Sequence, residues 1–230
     1  MNQGSTILYQ KKILITAGPT REAIDPVRYI SNHSSGKMGY ALAQEFLSRG
    51  AQVVLVTGPV CIELHHEHLK IIRVQSANEM YIDCCRYFEE TDVAVFAAAV
   101  ADYRPEAAAL QKIKKNDESF MIKMVKNVDI AFEFGLIKKS QQVSVGFALE
   151  TNDEEKHALS KLKKKNFDLV VLNSMNDAQA GFGFDTNKIS IIQDDLSVTE
   201  FPLKSKKEVA VDIVDAAAKR LLKKQQLLTR

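Results

Sequence analysis

The sequence has almost no excess charge, few cysteines and no long apolar run, and each shortage excludes a class of protein. Its 31 basic and 29 acidic residues give a formal net charge of +2, whereas a domain that wraps duplex nucleic acid is expected to be strongly basic. With 46% hydrophobic and 26% charged residues, the composition is that of a folded globular chain and not a disordered one. No segment approaches the roughly 18 consecutive apolar residues of a membrane span.

The three cysteines, Cys61, Cys84 and Cys85, are odd in number and include no CxxC pair, which argues against a disulfide framework and a zinc ribbon. Residues 1–5 lack the basic segment and apolar stretch of a signal peptide. We therefore expect a reduced, cytoplasmic protein with no membrane partner. The 230 residues fit one α/β domain, and because neither a repeat nor a linker is visible, we predict a single domain over residues 1–230.

Short apolar strands alternate with helical segments along the chain. Strands are predicted over 12–18, 52–58, 71–74, 93–100, 142–147 and 167–172, and helices over 36–48, 77–89, 125–139, 153–165 and 206 to about 222. Segments 187–193 and 197–203 predict an antiparallel hairpin near the C-terminus. The alternation predicts an α/β fold of Rossmann-like, three-layer type, with a mostly parallel sheet between helices.

Two connections between these elements are unusually long. Residues 19–35 read as a polar loop after the first strand. Residues 106–124 form an insertion between a strand and a helix, where connections usually run to about 2–6 residues. A mobile flap over a site, spanning about 106–124, is one interpretation of this insertion, and an ordinary solvated loop is the other.

The first strand–helix connection is where a parallel α/β sheet is expected to bind its ligand. Gly36 and Gly39 occupy the last two positions of a GxGxxG pattern, with Ser34 in place of the first glycine. Glycine lets the backbone approach a phosphate, and N–H groups at a helix start hold an anion. The alternative is a glycine that merely packs against the sheet.

Three kinds of catalytic motif are missing. A P-loop would read GxxxxGK[ST], but Ser31 and Met38 stand at its first and last positions. No tyrosine is followed four residues later by lysine, as a short-chain dehydrogenase requires, and the GxSxG of serine hydrolases does not occur. The sequence therefore favours a nucleotide site that works without these groups.

Asp102 and several lysines are candidate ligands of such a nucleotide. Asp102 follows a run of small residues at a strand end, where a carboxylate can bind a ribose hydroxyl or hydrated Mg²⁺; alternatively it caps the next turn. Lys161 and Lys165 share one helix face. With Lys112 they could neutralise a triphosphate, although most lysine clusters are solvated faces. The histidine-rich segment 65–68 is interpreted as polar surface and not as a zinc site.

A continuous signature lies near the start of the chain. It consists of Ile15-Thr16-Ala17-Gly18-Pro19-Thr20-Arg21-Glu22, Ile24-Asp25-Pro26-Val27-Arg28-Tyr29-Ile30-Ser31-Asn32 and Ser34-Ser35-Gly36-Lys37-Met38-Gly39. Further matches are 98–104, 112–115, 125–127, 146–148 and 150–151. With these motifs the chain closely resembles the phosphopantothenoylcysteine synthetases (phosphopantothenate–cysteine ligases), the C-terminal half of bacterial Dfp-type bifunctional coenzyme A biosynthesis proteins. The flavin-dependent decarboxylase domain of those proteins is absent from this sequence, so we expect the stand-alone form.

The resemblance implies a ligase reaction in two steps, in coenzyme A biosynthesis. The carboxylate of 4′-phosphopantothenate attacks the α-phosphate of CTP, which yields an acyl-cytidylate and pyrophosphate. The amine of L-cysteine then displaces CMP and forms the amide. Eukaryotic relatives accept ATP, and CTP is expected here because the motifs look bacterial. Mg²⁺ is expected to accompany the triphosphate, with Asp102 as a candidate ligand.

The resemblance also implies roles for individual residues. Asn32 would bind the acyl-cytidylate and stabilise charge at its carbonyl, and Lys112 would contribute to catalysis near the α-phosphate. Ser34, Gly36 and Gly39, together with Asn32, match phosphate- and substrate-binding positions. The nucleotide-binding positions are matched by Ala98, Asp102, Lys112, Val125, Lys126, Asn127, Val128, Phe147, Lys161 and Lys165.

One residue departs from the family pattern. Bacterial relatives commonly carry Lys-Asn-Pro where this chain has Lys126-Asn127-Val128; valine restores an N–H and frees φ, and we expect function to survive.

Family members are homodimers whose flap reaches the neighbouring subunit's site. A Rossmann-type oxidoreductase would share the fold, and a non-catalytic nucleotide- or RNA-binding module could use the same lysines.

Overall fold

A mixed sheet runs through the centre of the computed structural model, which describes residues 7–114, 119–150, 154–174 and 184–228. Within these ranges the sheet contains β1 (Lys12–Ala17), β4 (Gln52–Thr57), β5 (Leu69–Arg73), β6 (Val93–Phe96), β9 (Val143–Glu150), β10 (Leu169–Ser174), β12 (Ile189–Gln193) and β13 (Val198–Glu200). Their order across the sheet is β13-β12-β10-β9-β6-β1-β4-β5.

The six strands from β5 to β10 in this order pair in parallel, and β12 and β13 add an antiparallel edge. The predicted mostly parallel sheet and its C-terminal hairpin are therefore confirmed. From β1 the chain first builds the sheet outward through β4 and β5, and then returns to the other side of β1 with β6. The junction of β1 and β6 is the topological switch point, where sheets of this kind bind ligands.

Helices cover both faces of the sheet. They are α1 (Lys37–Ser48), α2 (Ala77–Phe88), α3 (Ile130–Ile137), α4 (Glu154–Lys164) and α5 (Lys206–Leu228). One buried core joins α1 and α5 to the sheet, and the other joins α2, α3 and α4 to its opposite face. Ile13 and Ile15 point into the first core and Leu14 into the second, which explains the continuous apolar run of β1. The predicted three-layer architecture is confirmed, and none of the described helices is long and apolar enough to cross a membrane.

The segment 19–35 is not the simple loop that we expected. It contains an antiparallel hairpin of β2 (Arg21–Ala23) and β3 (Tyr29–Ser31). Asp25 shapes its turn, because its Oδ1 accepts hydrogen bonds from the backbone N–H groups of Val27 at 2.8 Å and Arg28 at 2.9 Å. Strands of three residues are too short to show a repeating pattern, so no periodicity in the sequence indicates them.

Several other boundaries differ from the prediction, among them the end of β6 and the start of α3. The strand predicted over 93–100 ends at Phe96, after which only an isolated bridge pairs Pro19 with Ala99. The helix predicted over 125–139 begins at Ile130, because Asp129 caps it by accepting from the Phe132 N–H at 3.2 Å.

The insertion 106–124 leaves from a small antiparallel ribbon. The ribbon pairs β7 (Tyr103–Pro105) with β8 (Met124–Lys126), and a second short ribbon pairs β11 (Thr186–Asn187) with β14 (Lys204–Ser205). Residues 115–118 of the expected flap lie outside the described residues.

Candidate active site

A cavity of about 380 Å³ lies at the carboxyl ends of β1, β6 and β9, at the switch point of the sheet. Its walls come from the turn before α1, the segment after β6, the start of α3 and the end of α4. Residues of both cores line it, so the cavity extends past the carboxyl ends of the strands from one face of the sheet to the other. The candidate residues that line it are Asn32, Ser34, Gly36, Gly39, Ala98, Asp102, Asn127, Val128, Phe147, Lys161 and Lys165.

Three candidate residues lie outside the lining of this cavity. Val125 and Lys126 belong to β8, where they pair with Arg104 and Tyr103 of β7. Lys112 is exposed on the insertion. A role for Lys112 at a nucleotide therefore requires either movement of the insertion or the cavity of another subunit.

The glycine turn places the start of α1 at the cavity. Gly36 precedes the helix with φ +77°, and a Cβ there would lie 2.7 Å from Val60 Cγ1. A Cβ on Gly39 would lie 2.5 Å from Ala17 Cβ, so this glycine allows α1 to pack tightly on β1. Gly36 has no side chain to cap the helix, and Lys37, like Gly39, lines the cavity. The turn thus has the geometry of an anion-binding site. One of its glycines, Gly39, also packs against the sheet.

Asn32 is tied to the chain segment after β6. Its Nδ2 donates hydrogen bonds to the carbonyls of Ala99 at 3.0 Å and Val100 at 3.1 Å. The resemblance implies that this amide donates to the reaction intermediate, whereas here both its N–H groups face backbone oxygens. To act as expected, the amide must either leave these carbonyls or interact through its oxygen.

A buried side chain and a half-buried one hold the segment 97–102 in place from both sides. Thr20 is buried and its Oγ1 accepts from the Ala101 N–H at 3.0 Å. Asn127 Nδ2 donates to the Ala101 carbonyl at 2.8 Å, and its backbone N–H donates to the Asp102 carbonyl at 2.9 Å. Asn127 is therefore a support of the cavity wall as well as part of the lining. Asp102 is exposed at the end of this fixed segment.

Lys161 lies in α4 and Lys165 directly follows the end of this helix. Both lysines line the cavity, as their spacing on one helix face predicts. Lys165 Nζ lies 2.9 Å from Asp129 Oδ1, which also accepts the hydrogen bond that starts α3. This ion pair joins the C-terminal end of α4 to the start of α3 at the cavity. The cavity wall therefore carries both positively and negatively charged side chains.

Sequence reasoning missed several polar residues of the lining, including two lysines and two asparagines. Lys37 lies inside the signature, Asn173 is near the end of β10, and Asn187 and Lys206 come from the C-terminal part of the chain. Asn173 carried a signal that could have been used, since it follows a predicted strand at the ligand-binding edge. Asn187 and Lys206 carried none, because the pairing of β11 with β14 brings them there.

The histidine-rich segment gives no metal centre. His65 is largely exposed, and across residues 7–114, 119–150, 154–174 and 184–228 no group of three or more His, Cys, Asp and Glu side chains is placed to hold a metal ion.

Comparisons with known proteins show the family to which the chain belongs. The family described as DNA/pantothenate metabolism flavoprotein, C-terminal domain, matches residues 8–221. The chain belongs to this family. Among solved structures, the C-terminal domain of a coenzyme A biosynthesis bifunctional protein CoaBC superposes with a TM-score of 0.80 at 37% identity, covering 94% of this chain and 98% of that domain.

Longer members of the family match this chain over about half their length. The CoaBC protein of Bacillus subtilis strain 168 is 43% identical over 214 residues, which is 93% of this chain and 52% of that protein. A protein named cysteine/cysteine sulfinic acid decarboxylase, from an unidentified prokaryote, is 48% identical over 204 residues, which is 89% of this chain and 57% of that protein.

Proposed function

We propose that this family member is a ligase that joins 4′-phosphopantothenate to L-cysteine and converts CTP to CMP and pyrophosphate. The observation that carries the proposal is the cavity at the switch point, where the glycine turn, Asn32, Asp102 and the Lys161–Lys165 pair converge. The similarity to the C-terminal domain of a CoaBC protein supports coenzyme A biosynthesis as its setting. We also propose that the protein acts in the cytoplasm.

The reaction needs an activated carboxylate, because a free carboxylate is a poor acyl donor. In the first step a carboxylate oxygen attacks the α-phosphorus, a P–O bond forms, and pyrophosphate leaves with the electrons of the broken bond. In the second step the cysteine nitrogen attacks the acyl carbon, CMP leaves, and the nitrogen loses a proton. Lys161 and Lys165 would offset the negative charge of the nucleotide, so that catalysis consists mainly of positioning and charge stabilisation.

Mg²⁺ belongs to the proposal as the companion of the triphosphate. Among the described residues the cavity presents two carboxylates, Asp102 and Asp129. Asp129 Oδ1 is already bonded to Lys165 and to the Phe132 N–H, so Asp102 is the better candidate. This set fits Mg²⁺, which usually binds one or two carboxylates plus phosphates and water. When bound, the ion would neutralise charge on the phosphates.

A homodimer is the remaining part of the proposal. Lys112 is exposed and does not line the cavity of its own chain. If the insertion reaches a second copy, Lys112 would supply its ammonium group to that copy's nucleotide. Mixing two inactive variants, Lys112→Ala and Asn32→Ala, would then restore part of the activity, since one hybrid site carries both side chains.

The decisive assay follows pyrophosphate release from 4′-phosphopantothenate, L-cysteine, Mg²⁺ and either CTP or ATP, with each component omitted in turn. We expect release only when the acid and a nucleotide are both present, with CTP preferred. No release with either nucleotide would overturn the proposal. Because one relative is named a decarboxylase, CO₂ is measured in parallel from cysteine and from cysteine sulfinate, and we expect none.

A further inference from the structure

The β2–β3 hairpin, which leads into Asn32, is attached to the rest of the chain at two places. One attachment is to the segment 97–102, through the amide of Asn32 and the hydroxyl of Thr20. The other attachment is to the start of α2 and is made by Glu22. Glu22 does not line the cavity, so its part in the site has to be found in what it holds.

Glu22 is a buried carboxylate that binds the first residue of α2. It is 2% exposed, and its Oε1 accepts a hydrogen bond from the Ala77 N–H at 2.9 Å. Beside it, the Arg21 N–H donates to the Gln75 carbonyl at 2.7 Å. A negative charge is stabilised at this place, because the free N–H groups and the dipole of a helix start favour anions. The contact therefore fixes β2 against α2.

The helix α2 has its own cap and does not depend on Glu22 for one. Ser76 Oγ accepts from the Glu79 N–H at 3.2 Å, and Glu79 Oε2 accepts from the Gln75 N–H at 2.7 Å. This is a local cap of the Ser-x-x-Glu type. The bond from Ala77 to Glu22 spans 55 positions of the chain instead, so its effect is to join the hairpin to the helix.

The path from Glu22 to Asn32 is short. Glu22 follows Arg21, which pairs with Ser31 across the hairpin, and Asn32 comes directly after Ser31. Ser31 Oγ also donates to the Thr20 carbonyl at 2.7 Å, which ties the two chains of the hairpin together at this end. A displacement of β2 at Glu22 therefore moves the backbone that carries Asn32.

We infer that Glu22 is a positioning residue for Asn32. It holds the hairpin on the start of α2, so that the Asn32 amide stays at the cavity wall beside the segment 97–102. Glu22 itself touches neither substrate nor nucleotide. This inference rests on the proposed function and on the role of Asn32 in the attack by cysteine, and it extends that role to a residue outside the cavity.

The test measures the two chemical steps separately. Pyrophosphate release without cysteine reports the first step, and rapid-quench decay of the acyl-nucleotide after addition of cysteine reports the second. Glu22→Leu keeps the size of the side chain but removes the acceptor. It should slow the second step at least about tenfold, because a small misplacement near the reacting atoms costs up to about a hundredfold, and leave the first step nearly unchanged. Glu22→Gln keeps an acceptor oxygen and should restore the second step.

A double variant separates positioning from a general loss of structure. In an Asn32→Ala background, Glu22→Leu should slow the second step no further, because the group that Glu22 positions is gone, whereas independent effects would multiply. Glu79→Leu is the matched control. The exposed Glu79 makes a charged hydrogen bond at the same helix start, but to the Gln75 N–H and not to the hairpin. Both steps should be normal in this control.

Ala77→Pro removes the same hydrogen bond from the donor side and decides the question if Glu22→Leu does not fold. Proline is tolerated at the first position of a helix. Ser76, with φ −100° and ψ 164°, already has the extended backbone that a following proline requires. This variant should show the same slow second step, again with no further effect in the Asn32→Ala background.

Several results would overturn the inference. They are equal slowing of both steps in folded Glu22→Leu, multiplied effects in the double variant, a Glu22→Gln enzyme as slow as Glu22→Leu, and a Glu79→Leu enzyme as slow as Glu22→Leu. An Asn32→Ala enzyme with a normal second step would overturn it as well, because Glu22 would then have no catalytic group to position.

Failure of the proposed function looks different, because the wild type itself would then release no pyrophosphate in any mixture. Hydrogen–deuterium exchange still tests the anchor in that case. The amides of residues 21–32 should exchange faster in Glu22→Leu and in Ala77→Pro than in the wild type and in Glu79→Leu. Unchanged exchange in both hairpin variants would show that Glu22 does not hold the hairpin.

Discussion

The carboxylate of Asp25 holds the backbone of Ile113, which lies 88 positions later in the chain. Asp25 Oδ2 accepts from the Ile113 N–H at 3.1 Å, while Arg28 Nη2 donates to the Ile113 carbonyl at 3.2 Å. Arg28 and Asp25 are themselves paired, with Nη2 2.6 Å from Oδ2. The hydrogen bond from the Arg28 guanidinium holds the pKa of Asp25 well below its usual range. The β2–β3 hairpin thus fixes the residue that follows Lys112.

Replacing Asp25 by asparagine should loosen the insertion 106–124. The Ile113 N–H loses a charged acceptor, and a hydrogen bond of about 1 kcal/mol corresponds to roughly fivefold easier opening. Trypsin should therefore cleave after Lys112 and Lys114 about fivefold faster. Asp195→Asn is the control, because Asp195 makes a similar turn contact, to the Ser197 N–H at 3.0 Å, far from the insertion in sequence. Equal cleavage rates in the two variants would contradict the positioning role of Asp25.

Asn32→Ala should separate the two chemical steps. Loss of a charge-stabilising donor typically slows a step about a hundredfold or more, and we assign Asn32 to the step in which cysteine attacks. The variant should therefore form and accumulate the acyl-nucleotide, detected by mass spectrometry after acid quench. His33→Ala, at an exposed neighbour outside the cavity lining, should turn over normally. An Asn32→Ala enzyme that behaves like the wild type would show that Asn32 has another role.

Gly39→Ala should lower stability because the new methyl group meets Ala17. The added Cβ would lie 2.5 Å from Ala17 Cβ and 3.2 Å from its Cα, and overpacking of this kind costs about 1–3 kcal/mol. Urea unfolding measures the loss of unfolding free energy. Gln44→Ala, on the exposed side of α1, is the matched control and should be neutral or slightly stabilising. A Gly39→Ala protein as stable as the control would mean that α1 shifts without cost.

Asp168→Asn should destabilise the opposite end of the sheet. The buried carboxylate lies 2.8 Å from Lys138 Nζ, 2.5 Å from Lys224 Nζ and 3.3 Å from Arg220 Nε. The substitution leaves three cations without their shared partner, at a cost of about 3 kcal/mol. Urea unfolding at pH 7 measures this cost, and Asp195→Asn, at an exposed turn, should show little change.

The effect of Asp168→Asn should also depend on pH. Burial acts to raise the pKa of Asp168, but Lys138 and Lys224 outweigh burial and lower it. A carboxyl group with a lowered folded-state pKa stabilises the fold above its unfolded pKa of about 3.9 and loses that contribution as the pH falls further. The stability difference between the wild type and Asp168→Asn should therefore be full at pH 7 and shrink below about pH 4. A difference that grows toward low pH would refute this account.

Elements with a strong local pattern were predictable from the chain. The apolar runs of β1 and β4 and the spaced apolar residues of α1 were correctly assigned to strands and a helix, because burial on one or both faces leaves a repeating signal. The β2–β3 hairpin and the true start of α3 were missed. Three-residue strands and an Asp cap depend on single contacts, which no periodicity records.

The residues of the candidate site were likewise predictable only where a local pattern marks them. The glycine turn, Asp102 and the Lys161–Lys165 pair follow from their position after strands and on one helix face, and the structure brings them to one cavity. Lys112 was predicted beside them, but the structure places it outside the lining. Lys206 was missed because a lone lysine carries no pattern until its burial is known. Asn173 was missed although its position after a predicted strand indicated the ligand-binding end of the sheet.

By itself the sequence determined the alternation of strands and helices, the signature of the family and the turn that starts α1, because each is written in neighbouring residues. Only the tertiary structure decided which distant groups come together: Asp25 with Ile113, Asp168 with three cations, and Lys206 and Asn173 in the lining of one cavity. The reason is physical. Buried hydrogen bonds and charges gain their strength from exclusion of water, and that exclusion exists only once both faces of the sheet are covered.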